Sequence, residues 1–203
     1  TNTLMNQYKI NLSIMGENLL ETTNFKSGFA GIKPNFTKTN TYSINLADKI
    51  KMILFYGSQY LSNPSYINKS LFDTLDAFKS YYVINHENTN LFDYIDWNEE
   101  LINKTLIDYY NWETDPSTKT TWRIGDGTAA FYNYIYFMIC GFSEYDTFRS
   151  NQIRQGVINR EQALIKVKEE NNPRWDSINW YCNTIKLDFH DTIKIINKIE
   201  PVY

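Results

Sequence analysis

Cysteine and histidine are scarce in this sequence, which contains two residues of each type among 203. Cys140 and Cys182 each lie in an apolar helical pattern. We therefore expect buried free thiols, and neither a disulfide framework nor a cysteine-based zinc site. His86 and His190 are far apart in the chain, which argues against a histidine-rich metal site. No metal site is expected.

A basic excess and a long apolar run are also missing. The formal net charge is -3 and the pI is near 5.4, whereas a general nucleic-acid binder carries a clear excess of Lys and Arg. No apolar run reaches the length that spans a membrane, and no signal peptide is visible. These absences predict no nucleic-acid partner, no membrane span and a cytoplasmic location.

The common phosphate-binding loops are absent as well. Neither a G-x-G-x-x-G nor a Walker A pattern occurs in the chain, and no Ser/His/Asp or Cys/His arrangement can be defended. Aromatic residues, in contrast, make up 16% of the chain and hydrophobic residues 42%. The chain can bury a substantial core of Tyr, Phe and Trp, whose polar tips need hydrogen-bond partners.

Periodicity and capping residues predict a mostly helical chain with one leading strand at about residues 8–15, followed by a long loop over 19–44. Further along, pairs of polar residues three positions apart mark helix starts. These pairs are Asn45 with Asp48, Asp96 with Glu99, Ser143 with Asp146, Asn159 with Gln162, and Asp188 with Asp191. Gly57 is expected to weaken or end the first of these helices.

The segment 128–140 is apolar on nearly all sides and predicts a central, buried helix. Gly141 suits the left-handed position just past its end. Asn133 lies within this apolar helix and must be hydrogen-bonded if it is buried. We expect it to hold a neighbouring loop, and contact with a substrate is the alternative.

Glu17 and Asn18 follow the leading strand at its carboxyl end, where ligands bind in open α/β sheets. A carboxylate and an amide at this position can orient an ammonia molecule or a substrate amide. A plain strand-to-loop turn is the simpler alternative.

Arg123, Asp126 and Thr128 surround a Gly-Asp-Gly turn just before the apolar helix. The start of a helix offers free N–H groups and the positive end of its dipole to an anion. Arg123 adds a forked donor, and Thr128 can add a hydroxyl. In the alternative interpretation, Asp126 or Thr128 only caps the helix, and Arg123 pairs with a surface carboxylate.

Arg149 and Arg154 lie on the next predicted helix, together with Asn151 and Gln152. These side chains can line a pocket for phosphate or for sugar hydroxyls. The alternative is a solvated helix face.

Three runs in this region resemble one protein family: TWRIGDGTAAFYNYIY at 121–136, GFSEYDTFRSNQIRQGVINREQAL at 141–164, and NNPRWDSINWY at 171–181. They look like the C-terminal part of the bacterial N-acetyl sugar amidotransferases, PP-loop enzymes of lipopolysaccharide and surface-polysaccharide biosynthesis. MGEN at 15–18 and YIDW at 94–97 resemble the middle section of the same family. The resemblance spans most of the chain and is strongest from about 94 to 185.

The resemblance implies an ATP-dependent transferase reaction, with Mg²⁺ accompanying ATP. The acetamido oxygen of an N-acetyl sugar is adenylated, and ammonia displaces AMP to leave an acetamidino group. A glutamine-hydrolysing partner is expected to supply the ammonia, and a homo-oligomer is left open. The implied fold of this chain is mainly α. Residues 1–44 are the last part of the enzyme's α/β nucleotide-binding half with a long loop, and residues 45–203 form the enzyme's helical half.

The chain departs from the family in one respect, because the S-G-G-x-D-S pyrophosphate loop occurs nowhere in the 203 residues. We expect that loop upstream of Thr1, so that this chain is a fragment that is inactive alone. A helical assembly module that docks a glutaminase partner is one alternative, and another PP-loop chemistry such as sulfur transfer or amide synthesis is a weaker one. The resemblance assigns no catalytic residue, and its candidate nucleotide, phosphate or sugar contacts are Glu17, Asn18, Arg123, Asp126, Arg149 and Arg154.

Overall fold

The computed structural model describes residues 2–21, 23, 25–32, 45–82, 87–114 and 127–202. Helices dominate these residues, as the sequence predicts, and the described strands form one small parallel sheet. The helices are α1 (Asn2–Tyr8), α2 (Leu46–Ser62), α3 (Lys69–Tyr82), α4 (Glu99–Tyr110), α5 (Thr128–Cys140), α6 (Glu144–Arg154), α7 (Arg160–Glu170), α8 (Trp175–Thr184) and α9 (Phe189–Ile196). The strands are β1 (Leu12–Met15) and β2 (Glu87–Asn90).

The chain divides into two compact units. The first comprises Thr1–Leu19 and Asn24–Trp97, and the second comprises Leu20–Thr23 and Asn98–Tyr203. The contacts thus separate the chain near Trp97, whereas the family resemblance predicts that a nucleotide-binding half ends after residue 44. The segment 33–44 lies outside the described residues, and the roles assigned to the two halves stay predictions.

In the first unit, β1 pairs with β2 in parallel, with Leu12 opposite Glu87 and Met15 opposite Asn90. The predicted strand over 8–15 is too long at its start, because α1 extends to Tyr8. Lys9 has a left-handed backbone, with φ of 54°, and this conformation ends the helix before the strand begins.

Helix α2 begins as predicted, because the Asn45 side chain accepts a hydrogen bond of 2.8 Å from the backbone N–H of Asp48. It does not end at Gly57 but continues to Ser62. A single glycine costs a helix only about 1 kcal/mol, which the flanking turns of α2 tolerate.

The core of the second unit forms where α5 packs against α8 and α9. Its buried residues are Ala130, Tyr134, Ile178, Cys182 and Ile196. The predicted bounds of α5 are confirmed, and Gly141 adopts the expected left-handed conformation with φ of 76°.

Gly127, directly before α5, also has a left-handed backbone with φ of 78°. A Cβ atom at this position would lie 2.6 Å from the Ser177 carbonyl oxygen and 2.8 Å from the Tyr181 Cβ. The entry to α5 therefore approaches α8 so closely that only glycine fits without a shift of the backbone.

Most of the predicted helix starts are confirmed. Capping boxes form at Ser143 and at Asn159, and the Asp188 side chain caps α9. The prediction that Asp96 caps α4 is wrong, because the cap is Asn98, whose side chain accepts a 2.9 Å hydrogen bond from the N–H of Leu101.

Candidate functional site

The carboxyl end of the two-stranded sheet carries Glu17 and Asn18, as the sequence predicts. The Asn90 side-chain amide, at the end of β2, donates a hydrogen bond of 2.9 Å to the Glu17 carbonyl oxygen. This bond joins the segments that leave the two parallel strands. The Glu17 side chain is exposed, and that of Asn18 is half-buried, so the Glu17 carboxylate is accessible to a ligand at this edge.

The Gly-Asp-Gly turn is described only at its end. Arg123 and Asp126 lie outside the described residues, so an anion site that uses them stays a prediction. Thr128 is the first residue of α5, and the preceding cap residue, Gly127, makes no side-chain capping bond. Thr128 is therefore not the N-cap residue of this helix.

Arg149, predicted to bind phosphate or sugar, is instead the centre of a buried ion-pair cluster. Its side chain is 2% exposed and lies between two carboxylates that are 12% and 14% exposed, those of Glu99 and Glu170. Nη1 lies 2.6 Å from Glu99 Oε2, and Nη2 lies 3.2 Å from Glu99 Oε1. Nε donates to Glu170 Oε2 at 3.0 Å, and Nη2 also donates to Glu170 Oε1.

Gln152 completes this cluster, because its side-chain oxygen accepts a 2.8 Å hydrogen bond from Arg149 Nη1. A guanidinium has five N–H donors in a fixed fork, and here five hydrogen bonds engage it. No donor is left for an external phosphate. In contrast to the predicted role, Arg149 in this geometry holds α4, α6 and α7 together.

The electrostatics of the cluster favour its charged form. Burial alone would raise the pKa of the Glu99 carboxyl. The hydrogen bonds and charge of Arg149, with smaller contributions from Lys166 and Gln152, together outweigh burial and hold the pKa below its ordinary value. Burial alone would likewise lower the pKa of Arg149, but its bonds to Glu170 and Glu99 raise it. Both pKa shifts therefore favour the charged forms of Glu99 and Arg149 at neutral pH.

Arg154 does not join Arg149 in one pocket. Its Nη1 donates to Asn151 Oδ1 at 2.6 Å in an exposed position, and the Asn151 amide donates to the Leu20 carbonyl at 2.8 Å. The predicted row of Arg149, Asn151, Gln152 and Arg154 is thus split between a buried cluster and the surface.

Asn133 is buried and hydrogen-bonded, as expected. Its amide nitrogen donates to the Ala129 carbonyl, and its oxygen accepts from the Glu144 N–H, both at 3.0 Å. Asn133 thereby fixes the turn between α5 and α6, which confirms the expectation that it holds a neighbouring loop.

Sequence reasoning did not select Tyr145 and Arg174 as site residues. The Arg174 guanidinium donates to the Tyr145 hydroxyl and lies 5.8 Å from the centre of its ring. No carboxylate within the described part of the chain forms an ion pair with Arg174. A small pocket of about 20 Å³ lies beside this pair and also contacts Asn133.

The signal for this pair was present in the sequence. Arg174 and Tyr145 lie in two of the three runs that carry the family resemblance, but no helix pattern sets Arg174 apart. The sequence predicts Glu99 as a capping residue, and its pairing with Arg149 joins positions 50 residues apart, which no local pattern reveals.

The thiols are both buried. Burial raises the pKa of Cys140, and burial together with the charge of Asp188 raises that of Cys182. A thiolate, which is the reactive form, is therefore disfavoured at both positions.

The sequence lacks the pyrophosphate loop that the resemblance implies for ATP and Mg²⁺. A phosphate site of that family needs glycine N–H groups wrapped around the anion, and the sequence has no S-G-G-x-D-S run. Among the described residues, no group of three or more His, Cys, Asp or Glu side chains is placed to hold a metal.

Within the same ranges, none of the helices combines the length and apolar character that a membrane crossing requires.

Comparisons of this chain with known proteins identify no related protein. No protein-family model matches the chain, and neither a curated protein nor a solved structure gives a match. The resemblance to the sugar amidotransferases stays a prediction.

Proposed function

We propose that this chain is the C-terminal part of an ATP-dependent amidotransferase, which converts the N-acetyl group of a surface-polysaccharide sugar to an acetamidino group with ammonia from glutamine. The three family-like runs at 121–136, 141–164 and 171–181 carry the proposal. Their described residues fall in the second unit, where α5 packs against α8 and α6 contacts both α5 and α7. The family-like residues thus belong to one packed body.

In this proposal, the substrate site lies at the carboxyl ends of the two parallel strands. Parallel strands require a long crossover connection and are typical of α/β proteins. Leu12 and Ile14 of β1 are 44% and 63% exposed, although parallel sheets are normally covered on both faces. An extension of this sheet by a nucleotide-binding half would cover them and would place Glu17 and Asn18 at the ligand-binding edge.

In this proposal the residues have distinct tasks. Glu17 and Asn18 orient the acceptor amide or the incoming ammonia. Arg149 is a structural residue, and Arg174 replaces it as the guanidinium that is available to an anionic part of the substrate. The S-G-G-x-D-S loop for ATP and Mg²⁺ comes from sequence that this chain does not contain. The reaction would take place in the cytoplasm, with a glutaminase as the ammonia-supplying partner.

The test restores the upstream segment with its S-G-G-x-D-S loop and measures AMP release from ATP with an N-acetyl sugar nucleotide and ammonia. We expect AMP formation that depends on both the sugar and ammonia. Glu17→Gln should lower kcat/KM about 10-fold or more, because misplacing a reacting group costs that much or more.

Glu87→Gln is the matched control, because Glu87 is an exposed carboxylate at the opposite end of the same strand pair. It should leave the rate unchanged. A folded, loop-containing protein that releases no AMP would refute the proposal. If Glu17→Gln and Glu87→Gln changed kcat/KM equally, Glu17 would have no specific role in the site.

A second function is favoured by one observation on α2. This helix has no buried residue, and its apolar side chains Leu46, Ile53 and Leu61 are 74%, 70% and 83% exposed. A face of this kind suits a non-catalytic assembly module that docks a glutaminase partner.

Under this alternative, Ile53→Glu abolishes capture of the glutaminase in a pull-down. Lys49→Glu, also exposed on α2, serves as the control for the added charge. Arg123→Ala and Arg154→Ala would then leave the activity of the intact enzyme unchanged. Capture that survives Ile53→Glu would exclude docking through this face.

A further inference from the structure

A second cavity lies in the first unit, where the end of α2 turns through Pro64–Tyr66 into α3. Its volume is about 350 Å³, which is within the range of small-molecule sites. Three tyrosines line it, Tyr56, Tyr60 and Tyr66, together with the amides of Gln59 and Asn68.

The tyrosines present aromatic surface to this cavity. Tyr56 and Tyr60 are four residues apart, so they lie on the same face of α2, and Tyr66 follows on the connecting turn. Tyr56 and Tyr66 are each 54% exposed. Large aromatic surfaces that remain accessible beside polar groups are typical of a recognition site.

The polar groups of the cavity fall into two sets. Asn68 is engaged by the protein: its oxygen accepts from the Ser70 N–H at 2.9 Å, and its amide donates to the Ser65 carbonyl at 3.1 Å. These bonds fix the rim of the cavity before any ligand arrives. Pre-organisation of this kind lowers the entropy cost of binding.

The second set is available to a ligand. In the part of the chain that the structure describes, no protein group bonds to the Gln59 amide or to the hydroxyls of Tyr56, Tyr60 and Tyr66. An amide offers two donors and an acceptor, and each phenol offers one donor and accepts as well. The cavity therefore combines aromatic faces with several unused donors and acceptors.

Among the described residues that line the cavity, there is no Lys, Arg, Asp or Glu. A phosphate group would lack the cation that normally recognises it, and a purely apolar ligand would leave the phenols and the amide without partners. A neutral pyranose ring satisfies both requirements. Its C–H groups pack on the electron-rich faces of tyrosine, and its hydroxyls exchange hydrogen bonds with neutral side chains.

We propose that this cavity binds the neutral pyranose ring of a sugar, with Tyr60 as the stacking platform and Gln59 as the hydrogen-bonding residue. The choice of an N-acetyl sugar as the probe rests on the proposed function, whereas recognition of a pyranose rests on the cavity alone.

The test titrates the full chain with N-acetylglucosamine and with glucose, monitored by ligand-detected NMR. We expect saturable binding in the millimolar range, because one small neutral ligand makes few contacts. Tyr60→Ala should weaken binding at least 10-fold. Gln59→Leu changes an exposed side chain of similar size, so it is expected to fold normally, and it should also weaken binding.

Tyr109→Ala is the matched control, because Tyr109 is 75% exposed on α4, outside the cavity. It should leave binding intact. No saturable binding, or binding that survives both Gln59→Leu and Tyr60→Ala, would overturn the inference, and so would adenosine that binds more tightly than either sugar.

This result is separable from the proposed function. If the loop-restored enzyme releases AMP but sugar binding survives both Gln59→Leu and Tyr60→Ala, only the pyranose site is wrong. If the sugars bind as described but no AMP forms, the pyranose site stands and the amidotransferase proposal falls.

Discussion

Substituting Arg149 by methionine tests the buried ion-pair cluster most directly. The change keeps a long side chain but removes the guanidinium between Glu99 and Glu170, leaving two carboxylates that are only 12% and 14% exposed. Breaking a buried ion pair on one side costs about 3–5 kcal/mol. For a chain of this length, that loss lowers the Tm by roughly 6–20 °C. Denaturant titration and thermal melting at pH 7 measure both quantities.

The pKa of Glu99 predicts how the stability loss of Arg149→Met changes with pH. In the native protein the pKa of Glu99 is lowered from its ordinary value of about 4.5. Its contribution to stability is therefore present above that value and is lost as the pH falls through the folded pKa. In Arg149→Met, burial acts without the guanidinium and raises the pKa of Glu99. The stability deficit of the variant should therefore be largest near neutral pH and should shrink in acid.

Two controls separate charge from packing. Arg154→Met changes an exposed arginine on the same helix and should alter the unfolding free energy by less than about 0.5 kcal/mol. Adding Glu99→Gln and Glu170→Gln to Arg149→Met removes the stranded charges and should recover part of the loss. A deficit that is independent of pH, or unchanged in the triple variant, would refute the argument that charge drives it.

The remaining predictions concern α5 and the thiols. Gly127→Ala should lower the unfolding free energy by about 2–4 kcal/mol, because its Cβ meets the Ser177 carbonyl in addition to the left-handed backbone. Gly141→Ala, with a similar φ and open space around it, should cost only about 1–2 kcal/mol in the same chemical unfolding assay, and equal losses would contradict the close approach. Cys140 and Cys182 should react with a thiol reagent at pH 7.5 only after denaturation, and rapid labelling of the native protein would revive the sulfur-transfer alternative.

Helix starts could be predicted because capping is local. Ser143 and Asn159 each bond to residues within three positions, so a short sequence window contains the whole interaction. A short sequence window does not predict the helix start correctly where two neighbouring residues can each serve as the N-cap. Asp96 and Asn98 both suit the position before α4, and the choice of Asn98 frees Glu99 to reach Arg149.

The ion-pair cluster could not be predicted by the same means. Arg149 meets partners 50 and 21 residues away, and a helix pattern carries no information about which distant carboxylates approach it. The sequence predicts Arg149 in a pocket for phosphate or sugar, with a solvated helix face as the alternative. Both roles leave the guanidinium accessible, as is usual for arginine, and tertiary packing buries it instead. The predicted strand begins too early for a different reason: the alternation of Ile10, Leu12 and Ile14 extends back to Tyr8, before Lys9 turns the backbone.

The turn that Asn133 holds has a consequence for which substitutions this unit accepts. The side chain must donate a hydrogen bond to the Ala129 carbonyl and accept one from the Glu144 N–H within a buried space. Aspartate can only accept there and would bring an unbalanced negative charge. Leucine of similar size would leave the Glu144 N–H without its partner, whereas the Ala129 carbonyl lies within α5 and keeps its helical hydrogen bond. The hydrogen bond to the Glu144 N–H thus favours an asparagine at this corner, whatever ligand the protein binds.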